Sequence, residues 1–135
     1  MQIKGTVTKD GKWWLIEFPL LNAMTQGRTR KEALAMGADW VESDINREDF
    51  SATVSYEGDD IVSLTCNDDK ALLALVLRRL REQSGLSLVQ AGKRLGSDSP
   101  NAYGRYEQGK ASPTITKLNE LVQAVAPGKE LTLSI

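Results

Sequence analysis

LSLVQAGKRLG, residues 86–96, together with SDSPNAYGRYEQGK, residues 97–110, is the stretch from which the architecture of this chain is read. Ser87 and Gln90 stand at capping-box spacing, where each side chain satisfies an amide that the first helical turn leaves unpaired. Ala91 and Gly92 are small where a second helix must come close. Leu95 seals the end of the helix and Gly96 turns the chain. Ser99 then reads as an N-cap and Pro100 as the first helical residue, where a missing N–H costs nothing. In the helix that follows, Tyr103 and Tyr106 are expected to face inward, leaving Asn101, Ala102, Gly104 and Arg105 to face out. Upstream, Leu72, Val76, Leu80 and Leu73, Leu77 mark one buried face of a helix that runs to about Gln83 and ends at Gly85. Downstream, SPTITKLNELVQAV (112–125) supplies another helix. Residues 71–135 therefore read as a small all-α unit.

The outward residues carry a definite chemistry. An Asn side chain can bond adenine N6 and N7 together, and an Arg can bond guanine O6 and N7, each contributing roughly 1–3 kcal/mol of discrimination. Gly104 would let a phosphate or base edge approach the helix. The bland reading of the same residues is a solvated helix face. Taken together, LRRLREQSGLS, AGKRLG and YGRYEQGKASP resemble the repressor-type helix-turn-helix of the Xre/Cro family over about residues 71–126. The resemblance implies an internal ion pair between Arg81 and Glu107. It also implies that Ser87, Gln90, Asn101, Arg105 and Lys110 lie near DNA, with Ser99 and Ala102 beside them at the start of the reading helix. Three departures stand out: the turn Gly96-Ser97-Asp98-Ser99 is one residue longer than the family's, Asp98 puts a negative charge near where phosphates would lie, and Ala91 replaces a larger aliphatic.

After Pro127-Gly128, Leu131, Leu133 and Ile135 alternate with polar residues as in a strand. Five residues cannot hold a strand alone. Pairing with a second copy across a two-fold axis would set two reading helices about 34 Å apart, one turn of DNA.

Composition narrows the rest. The chain has 135 residues, no histidine and one cysteine, Cys66. That leaves no histidine for nucleophile activation or metal ligation, no intrachain disulfide and no cysteine metal cluster. No enzyme and no cofactor is expected. Asp59-Asp60 and Asp68-Asp69 are read as a turn and a helix start, where carboxylates meet free amides, ahead of any metal site. No apolar run is long enough to span a bilayer and no signal-peptide pattern opens the sequence, so a cytoplasmic protein is the default expectation. The net charge of −1 hides an asymmetry. Residues 71–135 hold 9 basic and 5 acidic side chains, whereas residues 1–70 hold 8 and 13. Opposite charge on two halves points to two partners, nucleic acid for the basic one.

The acidic half reads as an α+β domain of order ββαββ over residues 1–66, with 67–70 as a polar linker. Ile3, Gly5 and Val7 alternate with polar residues. Asp10-Gly11 is taken as the hairpin centre. Trp13 to Phe18 is a return strand flanked on both sides, ended by Pro19. Thr29 and Glu32 form a capping box, and Leu34, Ala38, Val41 and Ile45 a stripe for packing on the sheet. Strands at 51–56 and 61–66 close the set. Trp13 and Trp14, adjacent on one strand, must point to opposite faces and cannot form a single stacking platform.

FPLLNAMTQGRTRKEALAMGADWVESDI (18–45) is similar to the segment of HicB-family antitoxins in which a strand ends, a short Gln-Gly loop follows and a Thr-x-x-Glu-Ala-Leu helix begins. That resemblance implies a degenerate RNase H-like domain, catalytically inert, that binds and covers a small HicA-type ribonuclease toxin. The joint expectation is an antitoxin that neutralises a basic toxin and, as a homodimer or higher oligomer, represses its own operon. The alternative is a stand-alone repressor whose N-terminal domain senses a small molecule. An active nuclease built on Asp10, Glu17 and other carboxylates is the least favoured reading.

Overall fold

In the computed structural model, which describes residues 1–135, the alternating start of the chain forms β1 (Ile3–Asp10) and the return segment forms β2 (Trp13–Phe18). Asp10 pairs with Trp13, so the two-residue loop is Gly11-Lys12 rather than the expected Asp10-Gly11. Gly11, at φ 61°, takes the first loop position, where a type II′ turn demands a positive φ. A 3-10 turn, Pro19–Leu21, and a left-handed Asn22 then reverse the chain into β3 (Ala23–Gly27). From sequence alone this segment is expected as a loop, and the expected ββαββ order is corrected to βββαββ. Ala-Met-Thr-Gln-Gly lacks apolar alternation because β3 lies at the sheet edge, where its ladder with β2 outweighs weak intrinsic propensity.

Next come α1 (Arg30–Ile45), β4 (Ala52–Gly58) and β5 (Ile61–Cys66), completing a five-stranded antiparallel sheet of order β3-β2-β1-β5-β4. Directly paired residues share a face. Ile3, Val7, Ile16, Phe18, Val62 and Leu64 lie on one face and are all buried. Lys4, Thr6, Trp13, Glu17 and Met24 lie on the other, where Ser63 is buried and donates to Glu57 Oε1 at 2.6 Å.

α1 starts as read: Thr29 Oγ accepts the Glu32 N–H at 3.0 Å. The Glu32 carboxylate takes the Arg28 N–H at 3.3 Å, not the cap residue's own amide. The buried stripe is shifted from the expected one. Ala33, Gly37 and Val41 are fully buried, whereas Leu34, Ala38 and Ile45 are half-buried flanks. The sheet lies too close for larger side chains: a Cβ on Gly37 would sit 3.0 Å from Ile16 Cδ1 and 3.3 Å from the Phe18 ring.

The chain divides into two compact units, Met1–Leu72 and Leu73–Ile135. α2 (Asp69–Gln83) begins just before this division, with Asp68 Oδ1 accepting the Ala71 N–H at 3.0 Å as a helix cap. That hydrogen bond, with help from Arg47, holds the Asp68 carboxyl below its ordinary range. The second unit continues with α3 (Leu88–Arg94), α4 (Asn101–Glu107) and α5 (Ile115–Val125). Its core gathers Leu77, Leu80, Ala91, Tyr103, Leu121, Val122 and Val125.

Three successive helices end in one way. Gly85, Gly96 and Gly109 each take a positive φ, and the next residue's N–H reaches back to the carbonyl five residues earlier: Leu86 to Arg81, Ser97 to Gly92, Lys110 to Arg105. This is the Schellman motif, which satisfies the last carbonyls of a helix and turns the chain sharply.

Residues 131–135 do not form the expected strand. No other segment of the chain pairs with them, and a strand without a ladder partner has no hydrogen bonds to hold it. Leu133 is 86% exposed, and Leu131 and Ile135 are exposed as well. No helix of the structure is long and apolar enough to cross a membrane.

Candidate nucleic-acid interface

The interface is built from α3, the turn after it, and α4. Ser87 and Gln90 complete a reciprocal capping box: Ser87 N–H donates to Gln90 Oε1 at 2.8 Å and Gln90 N–H to Ser87 Oγ at 3.1 Å. Gln90 is exposed, and with its carbonyl oxygen held by the cap it presents its amide NH2 as the group able to meet a phosphate or base.

Gly92 lets the turn between α3 and α4 fold tightly over α3. A Cβ there would fall 2.5 Å from the Ser99 carbonyl oxygen. Two serines staple the turn in place. Ser97 Oγ accepts the Ser99 N–H at 3.1 Å, and Ser99 Oγ accepts the Asn101 N–H at 3.1 Å. The α4 ladder begins at Asn101, one residue later than read, and Pro100 takes the cap position with an already helical φ of −65°. Ser99 still supplies the capping oxygen although it lies one place further out.

Tyr103 anchors α4. It is fully buried and its hydroxyl donates to the Leu77 carbonyl at 2.7 Å. Burial, reinforced by the nearby Glu107 charge, pushes its pKa well above the ordinary tyrosine value, so it stays a neutral donor. Glu107 and Arg81 form the ion pair that the resemblance implied. Arg81 Nε donates to Oε2 at 2.7 Å and its second nitrogen to Oε1 at 2.8 Å, while the remaining one reaches the Leu86 carbonyl at 2.8 Å. Glu107 thereby raises the Arg81 pKa further. One guanidinium thus ties together the end of α2, the turn into α3 and the end of α4.

With that scaffold set, Asn101 and Arg105 are exposed on successive turns of α4, and Lys110 is exposed just beyond it. The Arg105 guanidinium lies over the half-buried Tyr106 ring at 5.6 Å, which limits the directions in which the arginine can reach. Tyr106 is a contributor that the sequence reading placed simply inside. Ala102 is half-buried. Gly104 does not face outward as expected: it is buried beneath Leu88, whose methyl groups would lie 3.6 Å from an added Cβ. Position 104 falls one residue after the anchoring Tyr103, and on a 3.6-residue turn the α3 contact takes it. Asp98 is exposed within the turn, as its sequence position implied.

Three further cations belong to the same helical unit. Arg94 donates to the Ala124 carbonyl at 3.2 Å, linking α3 to the end of α5, and Lys117 pairs with Glu120 at 2.9 Å. Lys93 is exposed on α3. The arrangement presents a short helix bearing one exposed amide and one exposed guanidinium, with Lys110 exposed just beyond it, groups that suit base edges and phosphates.

A family model described as a helix-turn-helix domain matches residues 72–132. Match and geometry agree: this part of the chain is a helix-turn-helix DNA-binding domain, a class found in DNA-binding regulators. Among curated proteins no match to the chain is found.

Proposed function

We propose that the protein is a DNA-binding antitoxin of the HicB kind. Its helix-turn-helix unit recognises the operator of its own operon. Its acidic N-terminal unit, taken as a degenerate RNase H-like domain, binds a small basic ribonuclease toxin of the HicA type and covers the toxin's catalytic surface. The observation that carries this reading is the joining of a reading helix with exposed Asn101 and Arg105 to a separate α+β unit rich in carboxylates. A basic ribonuclease must attract RNA phosphates, and an acidic protein surface competes with RNA for the same cations. The exposed Leu131, Leu133 and Ile135 support dimerisation by strand pairing between two copies, which would bring two reading helices to one face of DNA.

The deciding experiment is co-purification of the full chain with the product of the adjacent reading frame, expected to be a basic protein of under about 100 residues carrying a catalytic-type histidine. A stable complex that silences RNA cleavage by that product supports the antitoxin. Operator binding without any such complex, coupled to a response to a small molecule, would establish the ligand-sensing repressor instead.

A further inference from the structure

The two edges of the N-terminal sheet are treated differently. On β4, the Ala52 N–H is taken by the Glu42 carboxylate of α1 at 3.0 Å. A register shift between Tyr56 and Gly58 breaks its line, and the Arg30 guanidinium lies over the Tyr56 ring at 4.0 Å. Such devices keep an edge strand from pairing with other chains. β3 has none of them. Ala23-Met24-Thr25-Gln26-Gly27 contains no charge and no proline, and its ladder to β2 runs without a shift. Met24 is 60% exposed, and the outer edge of β3 meets no other strand.

Beside that edge, the outer side of α1 carries Met36, Asp39, Trp40, Ser43 and Asp44, spaced i, i+3, i+4, i+7, i+8. With Thr25 of β3 they line an open groove of about 390 Å³. Two carboxylates and no basic side chain border it, and Met36 is exposed there. An open edge offers main-chain hydrogen bonds to an extended segment, and a neighbouring pocket selects its side chains. An acidic pocket with a thioether and an indole in its wall fits the apolar stem and charged head of lysine or arginine.

We propose that β3 and the adjoining α1 groove are the docking site for an extended, Lys- or Arg-bearing segment of the partner protein, which adds to the sheet as a sixth strand. This rests on the reading above that the partner is a basic protein, and it identifies the surface that partner meets.

The test uses the full chain and the basic protein from the adjacent reading frame, with affinity measured by calorimetry. Asp39→Lys is expected to weaken the complex at least tenfold, and Asp10→Lys, the same charge change on the β1–β2 hairpin, by less than twofold. Both variants should keep the wild-type circular dichroism spectrum and unfolding midpoint, which shows that the N-terminal unit folds, and should retain wild-type operator binding. In the wild-type complex, amide hydrogen exchange at 24–26 should slow. Undiminished affinity for Asp39→Lys, equal losses for the two variants, or unchanged exchange in β3 overturns the docking site while leaving the antitoxin reading intact. If Asp39→Lys changes self-association and spares the complex, the occupant is a second copy and the proposal fails. Absence of any complex with the wild-type chain removes the antitoxin reading itself, and the docking site with it.

Discussion

Arg81 and Glu107 lie 26 positions apart in sequence and are joined by two parallel hydrogen bonds in a largely buried setting. Removing the carboxylate strands a guanidinium that has few other partners. Glu107→Ala should therefore destabilise the helix-turn-helix unit by about 3 kcal/mol, read from chemical denaturation. Tyr103→Phe removes one buried hydrogen bond while keeping the ring, and should cost only about 1 kcal/mol. Arg105 behaves differently because it is exposed. Arg105→Ala should leave unfolding unchanged and weaken operator binding by at least roughly 1 kcal/mol in a fluorescence titration. Unchanged operator affinity would take Arg105 off the reading surface. Residue identity alone made Asn101 and Arg105 legible as polar groups on an outer face. It could not show that Gly104 turns inward, because the α3 contact with Leu88 decides that.

At the level of elements, the serine-stapled turn between α3 and α4 sets how the reading helix is held. Gly96 and Gly92 serve that turn for different reasons, and their substitution should separate the two. Gly96→Ala meets open space but is forced into a left-handed φ, at a cost of about 1 kcal/mol in stability. Gly92→Ala drives its methyl group into the Ser99 carbonyl, so the turn must shift. It should reduce operator affinity by more than its loss of stability explains. Equal losses of folding and binding would show that the turn is not positioning α4. The last five residues pose the converse case, a pattern with no partner in its own chain. Deleting 131–135 should lower the dimer fraction in sedimentation, and an unaltered dimer would rule out the tail as the contact. The Thr29 cap and the Ser87 capping box were readable because they are local, satisfied within four residues. β3 was not, since an edge strand with a polar, glycine-ended sequence exists only because β2 is there to pair with it.

Across the whole molecule, the proposed function assigns the basic and acidic halves to two binding events with separable determinants. Arg105→Ala should weaken operator binding and spare the complex with the protein partner, and Asp39→Lys should weaken that complex and spare operator binding. Operator affinity should also fall steeply with added salt, with log K linear in log salt concentration, as released counterions require. A flat salt dependence would argue against phosphate contacts from Lys93, Lys110 and their neighbours. What the sequence determined by itself was what has a local cause: the Thr29 and Ser87 caps, the glycines that end the helices, the opposed charges and the helix-turn-helix spacing. Tertiary structure alone decided the third strand, the shift of the α1 stripe onto Ala33, Gly37 and Val41, and the burial of Gly104. Each of these depends on how close a second element comes, and that distance is set by packing between residues far apart in the chain.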